Sequence, residues 1–127
     1  MADVNRGNRP LSPHLSIYRP QITWTLSITH RITGVGLAVG AVALVWWLTA
    51  AATDPTYFDA VDWLMTSWIG YLIWFGLTWA LSYHFLNGIR HLVWDTGRAF
   101  RLDQVTRGGQ IVLFGSVVMT LFIWIVA

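Results

Sequence analysis

The chain has 127 residues, of which 55% are hydrophobic and only 11% are charged. Soluble domains carry about 25% charged residues, so this composition excludes an ordinary water-soluble domain and a disordered chain. The formal net charge is +2, and there is no cysteine, which excludes disulfides and iron–sulfur clusters within this chain. Three stretches lack charged residues, at 32–53, 63–89 and 108–127. Each is long enough to cross a bilayer, which takes roughly 20 apolar residues in a helix.

The predicted elements are a polar tail and three transmembrane helices. The tail covers residues 1–21 and contains three prolines, and residues 22–127 form a single transmembrane domain. We predict spans at about 22–51, 60–93 and 107–127 from the length and composition of the apolar segments. The first apolar run begins too far into the chain, and is too long, for a cleaved signal peptide. We therefore expect an unprocessed, multi-pass protein of a bacterial inner membrane.

The charges predict how the spans are oriented. Four of the eight arginines precede or open the first span, and the other four lie at the connection between the second and third spans. The connection between the first and second spans contains Asp54, Asp59 and Asp62 and no arginine. Cytoplasmic loops are enriched in basic residues, so the N-terminus is predicted inside and Ala127 outside. Because every arginine lies on the predicted cytoplasmic side, the net positive charge does not indicate a nucleic-acid partner.

Small residues form a lane along the second span. The residues of this lane are spaced four apart and so share one helix face: Gly76, Ala80, His84 and Gly88. Such a lane either allows a neighbouring helix to pack closely or leaves a groove around the imidazole. In the first span, Gly36 and Gly40 form a shorter lane that indicates helix contact more weakly.

The second span carries ionisable residues, which are costly in a membrane and usually functional. His84 lies about eight residues from the predicted cytoplasmic end, or roughly 12 Å deep. It is either a neutral histidine bonded to a neighbouring helix or an axial ligand of a haem iron. His91 lies two turns away on the same helix, roughly 10 Å, so the two histidines cannot bracket one iron. A second axial ligand would then have to come from another chain.

Near the start of the first span, Ser27, His30 and Arg31 can share one helix face. One interpretation is that Arg31 reaches the lipid phosphates and His30 lies at the membrane interface. The other is a polar binding site. Antiparallel packing of the first two spans would bring Arg31 close to His84 in the cytoplasmic leaflet.

Two motifs resemble the signatures of the cytochrome b subunits of succinate dehydrogenase. The first is RPLSPHL at 9–15 followed by SITHRITG at 27–34, and the second is HFLNGIRHLVWDTG at 84–97. The resemblance implies three transmembrane helices that pair with a second three-helix anchor subunit around haem b. It implies that His84 is an axial ligand of the haem iron, and that the partner anchor supplies the other histidine.

The resemblance also implies roles for neighbouring residues. Ser27 and Arg31 match positions of the ubiquinone site, and Ile28 and Trp24 would line its pocket. The residues expected at the haem propionates or in the haem pocket are His30, Arg31, Gly88 and His91.

By the same resemblance, the chain anchors an iron–sulfur subunit and a flavoprotein subunit to the membrane and helps to pass electrons from succinate to ubiquinone. The chain itself has no succinate-oxidising centre. Two alternatives within this class stay open, an anchor of a quinol:fumarate reductase and a haem-free structural anchor. A small transporter is disfavoured, because the sequence lacks inverted repeats and polar residues near the bilayer midplane.

Overall fold

The computed structural model describes residues 19–127, so residues 1–18 of the predicted tail, including the motif at 9–15, lie outside the described residues. The described chain consists of four helices, α1 Ile22–Thr53, α2 Pro55–Met65, α3 Trp68–Asp95 and α4 Leu102–Val126. It contains no strand, which confirms the all-α prediction. Three of the helices, α1, α3 and α4, are long and apolar enough to cross a membrane. The chain is therefore a multi-pass membrane protein.

The predicted second span, at about 60–93, is divided into two helices. α2 begins directly after Asp54, whose carboxylate accepts a hydrogen bond from the Tyr57 N–H at 2.8 Å, and it ends at Met65. After a turn, the Ser67 hydroxyl accepts from the Gly70 N–H at 3.1 Å and opens α3. A β-carbon at Gly70 would collide with the carbonyl oxygen of Met65. Gly70 is therefore required for the tight approach of α2 to α3.

Two tryptophans attach α2 to the end of α1. The Trp46 indole donates to the Tyr57 hydroxyl at 2.6 Å, and the Trp47 indole donates to the Asp62 carboxylate at 3.1 Å. An apolar cluster lies beneath these bonds and contains Ala50, Val61 and Met65. The acidic connection is thus a short helix that folds back on the bundle rather than an extended loop.

A second apolar cluster joins α1, α3 and α4 at the other end of the bundle, and its buried members are Leu26, Tyr83 and Val112. A β-carbon at Gly109 would lie 2.7 Å from Leu26 Cδ1, so α4 approaches α1 closely at this glycine. The start of α1, the last turns of α3 and the start of α4 therefore share one end. The arginines of the described residues lie at or toward this end.

The glycines of the two lanes differ in how closely a neighbouring helix approaches them. In α1, a β-carbon at Gly40 would lie 2.7 Å from Leu77 of α3, whereas one at Gly36 would meet nothing within 4 Å. In α3, positions Gly76 and Gly88 are likewise open. Gly40 thus serves helix packing within the described chain, whereas the lane with His84 is buried at Ala80 and open at Gly76 and Gly88.

Candidate functional site

Three histidines from α1 and α3 lie side by side. The rings of His30 and His84 stack with centroids 3.7 Å apart and an interplanar angle of 13°. His91 is tilted against His30, with a centroid distance of 5.4 Å. Opposite axial ligands of one iron must point at it from two sides, which rings stacked face to face cannot do. In the described part of the chain, these histidines also form no group that could hold a metal ion directly.

The His84 ring is half-buried and is contacted from α1. Its Nδ1 lies 3.3 Å from the hydroxyl oxygen of Thr33. A β-carbon at Gly34 would lie 3.1 Å from its Cε1, so this glycine leaves room for the ring edge. Among the described residues, no hydrogen bond reaches its Nε2. One ring nitrogen is therefore held by the protein and the other is available to a ligand.

The sequence suggested that Arg31 lies close to His84, but the described residues show no direct contact between the two side chains. The described contacts to the ring come from His30, Thr33 and Gly34, and the Arg31 side chain is exposed. The reason is helical geometry, because consecutive residues point about 100° apart, and α1 turns His30 toward α3.

The residues predicted to line a quinone pocket share the side of α1 away from the core. They lie at positions i, i+3, i+4 and i+7 of the helix: Trp24, Ser27, Ile28 and Arg31. Ile28 is 43% exposed and Arg31 is exposed, whereas Trp24 and Ser27 are half-buried. The structure keeps the four in one stripe, and this stripe faces outward from the three-helix core.

A buried polar network extends from His91 to the start of α4. Asn87 is completely buried, with its amide nitrogen 3.3 Å from His91 Nε2. Arg90 Nη1 donates to the Asn87 amide oxygen at 3.4 Å. Because Arg90 is always protonated, it fixes the amide oxygen toward itself and the amide N–H toward His91. His91 Nε2 is therefore an acceptor, which places the proton of a neutral ring on Nδ1.

Neutral groups hold the Arg90 charge. Its Nη2 donates to the Val105 carbonyl at 3.3 Å, and its guanidinium lies 4.0 Å from the centre of the Trp94 ring. The ion pair found among the described residues joins Arg101 and Asp103 instead. Cation–π contact and hydrogen bonds offset the cost of burying the guanidinium, and the hydrogen bond to Val105 also joins α3 to α4.

Sequence reasoning identified the histidines but missed Thr33 and Asn87. Both are polar residues at helical spacing from a histidine, Thr33 three residues after His30 and Asn87 four before His91. That spacing is the signal by which they could have been found, because residues three or four apart share a helix face. Spacing within one helix, however, does not show that Thr33 contacts a histidine of another helix.

Comparison with known proteins identifies the family. Residues 5–123 match the family of succinate dehydrogenase/fumarate reductase transmembrane subunits. The chain is 48% identical over 126 residues to the succinate dehydrogenase cytochrome b556 subunit of Paracoccus denitrificans, which covers 99% of this chain and 97% of that protein.

Two further relatives carry similar names. The cytochrome b556 subunit of Rickettsia conorii is 41% identical, over 92% of this chain and 91% of its own length. The mitochondrial cytochrome b560 subunit of Sus scrofa is 37% identical, over 87% of this chain and 66% of its own length. The resemblance seen in the motifs is confirmed, and the chain belongs to the succinate dehydrogenase/fumarate reductase transmembrane subunit family, as a relative of the succinate dehydrogenase cytochrome b subunits.

Proposed function

We propose that this chain is the membrane-anchor cytochrome b subunit of a bacterial succinate:ubiquinone oxidoreductase. In this role it binds haem b together with a partner subunit and contributes to the site of ubiquinone reduction. The names of its relatives support haem b, since they are called cytochromes b556 and b560. Those names also favour succinate oxidation over fumarate reduction.

The observation that carries the proposal is the arrangement around His84. Its Nδ1 lies beside Thr33, its Nε2 has no partner among the described residues, and Gly88, on the same helix face, adjoins open space. In addition, His30 Nδ1 is buried and makes no hydrogen bond within residues 19–127. Buried polar atoms are almost always bonded, so this nitrogen fits a polar edge of a cofactor such as a propionate. The residues present therefore fit a haem that His84 holds from one side.

In this proposal, a haem held by His84 would take its other protein ligand from a partner anchor subunit. His30 stacks on His84, and His91 lies beyond His30, so neither can reach the opposite side of an iron bound to His84. α1 covers the His84 ring, but positions Gly76 and Gly88 on the same helix face adjoin open space in the described chain. A haem at this place would be shared between two chains.

The stripe of Trp24, Ser27, Ile28 and Arg31 forms this chain's part of the quinone site. The Ser27 hydroxyl can donate a hydrogen bond to a quinone carbonyl oxygen, and Arg31 supplies a permanent cation beside it. Reduction adds negative charge to the quinone oxygens before protons arrive, and a fixed cation stabilises that charge. When bound, the haem supplies one-electron oxidation and reduction near this site.

The remaining partners are those that the resemblance to succinate dehydrogenase subunits implies, and the distribution of charge supports the side on which they dock. The arginine-rich end of the bundle is the cytoplasmic side, where an iron–sulfur subunit and a flavoprotein subunit dock. The flavoprotein oxidises succinate, and this chain lies in the inner membrane with its N-terminus in the cytoplasm.

The proposal is tested by isolating the tagged chain from its native membrane with a mild detergent. We expect a flavoprotein and an iron–sulfur protein to copurify, together with the absorption bands of reduced haem b. Copurification without those bands would identify a haem-free structural anchor and refute the haem assignment.

A further inference from the structure

We propose that Thr33 is a positioning residue that holds His84 in the tautomer able to bind iron. This inference rests on the proposed function, since it concerns the haem ligand named there. Thr33 is 5% exposed and lies at the contact between α1 and α3. Its hydroxyl oxygen is 2.9 Å from the Thr29 carbonyl, 3.0 Å from the His30 carbonyl and 3.3 Å from His84 Nδ1.

The distances around the Thr33 hydroxyl favour one direction for the bond to His84. The hydroxyl carries one hydrogen, and the two carbonyl oxygens of its own helix, at 2.9 and 3.0 Å, lie closer to it than His84 Nδ1 at 3.3 Å. We assign the hydrogen to a carbonyl on this ground, which leaves a lone pair of the hydroxyl facing His84 Nδ1. Two acceptors cannot bond to each other, so Nδ1 carries the hydrogen and donates it to Thr33.

This tautomer leaves the lone pair of a neutral imidazole on Nε2, which is the atom free of protein partners. The neighbouring contacts fix the direction in which that lone pair points. His30 covers one face of the ring, and Gly34 admits its edge. Residues 30–34, little more than one turn of α1, thus supply no iron ligand but determine how the ligand on α3 is presented.

The identity of the acceptor affects the iron. Histidines that bind metals almost always donate their other N–H to an acceptor, and the strength of that acceptor sets the basicity of the ring. The Thr33 hydroxyl, which donates its own hydrogen to a backbone carbonyl, is a neutral acceptor and therefore weaker than a carboxylate. Removing it lowers the electron density on the ring, which favours reduced iron, so the haem potential should rise.

The test compares Thr33→Val, which keeps the shape and removes the hydroxyl, with Thr33→Ser, which keeps the hydroxyl. Each complex is purified whole, and the haem-to-protein ratio, the haem midpoint potential and the g values of ferric haem are measured. Losing an outer partner of a metal ligand lowers affinity by about 10- to 100-fold. We expect Thr33→Val to lose haem on dilution, to raise the potential and to shift the g values, and Thr33→Ser to behave like the parent.

The matched control is Thr120→Val. Thr120 is also buried, and its hydroxyl donates to the Ser116 carbonyl four residues earlier, but it lies on α4 with no histidine contact. The Thr120→Val substitution should leave the haem-to-protein ratio, the midpoint potential and the g values unchanged. If Thr33→Val does not assemble, Thr33→Ala removes the same hydroxyl and replaces it in the comparison.

Two results would overturn the inference. One is a potential and g values in Thr33→Val that equal those of the parent. The other is an equal change in Thr33→Ser, because the hydroxyl would then not be responsible. A failure of the proposed function would give other results. The parent complex would contain no haem, or His84→Leu would leave the haem spectrum unchanged.

Discussion

Tyr83 donates its hydroxyl hydrogen to the carbonyl oxygen of Leu26 at 2.7 Å, and both residues are buried. The bond joins α3 to α1 one residue before His84 and two helical turns before Thr33. It therefore sets the register of the two helices at the point where the histidine cluster forms.

Tyr83→Phe should weaken this register without opening a cavity. A hydrogen bond between membrane helices contributes on average about 0.6 kcal/mol, and one in a protein generally about 0.5–1.5 kcal/mol. We expect a small loss of thermal stability of the purified complex and a lower haem content. Tyr57→Phe removes the comparable bond from Trp46 at the opposite end of the bundle. This change should lower the thermal stability without lowering the haem content. A haem loss of the same size in both variants would contradict a special role for the Tyr83 bond.

His84→Leu and His91→Leu should separate the ligand from its neighbour. His84→Leu removes the proposed axial ligand, so the low-spin haem spectrum should be lost or strongly altered. His91 is bonded to Asn87 and contacts His30 by its ring only, so His91→Leu should alter the spectrum less. Absorption and electron paramagnetic resonance spectra of the purified complexes measure both. Equal loss in the two variants, or an intact spectrum without His84, would refute the assignment.

Gly88→Leu should fill the space proposed for the haem. A β-carbon at this position meets nothing within 4 Å in the described chain, so the helix itself should tolerate the larger residue. We expect membrane insertion to persist while the haem-to-protein ratio falls. Gly36→Leu is the control, since Gly36 is equally open but lies on α1. Full haem content in Gly88→Leu would show that the groove does not hold the cofactor.

Ser27→Ala and Arg31→Leu should impair quinone reduction selectively. A neutral hydrogen bond contributes about 0.5–1.5 kcal/mol and one to a charged group about 1.5–3 kcal/mol, so Arg31→Leu should be the more severe. The rates of succinate oxidation are compared with ubiquinone and with a water-soluble dye that accepts electrons upstream. Only the ubiquinone rate should fall. If Arg31→Leu leaves the ubiquinone rate unchanged, Arg31 only anchors the helix to lipid. If both rates fall and the soluble subunits are lost from the membrane, the residue serves assembly of the complex.

Reporter fusions test the orientation predicted from the arginines. A fusion at Ala127 and another within the segment 53–57 should both report the outside of the cytoplasmic membrane. A fusion in the α3–α4 connection at Arg98 should report the inside. Any cytoplasmic signal at the first two sites would invalidate the topology.

The sequence predicted the spanning helices well because their length and lack of charge depend on composition alone. It did not predict the division between α2 and α3, because the apolar run continues through Met65 and the break depends on Ser67 and Gly70. Likewise, the spacing along α3 identified His84, but not that Thr33 would meet its ring. Contacts between helices depend on their rotation and register, which periodicity within one helix does not determine.

The neutral partners of Arg90 have an electrostatic consequence. An indole face, an amide oxygen and a backbone carbonyl contact the guanidinium without cancelling its charge, and its buried Nε has no hydrogen-bond partner among the described residues. The charge is buried, and salt in the surrounding water screens buried charges far less than exposed ones. The arginine-rich end of the bundle thus retains a positive charge close to His91, and its attraction for a negative charge entering that region should depend only weakly on ionic strength.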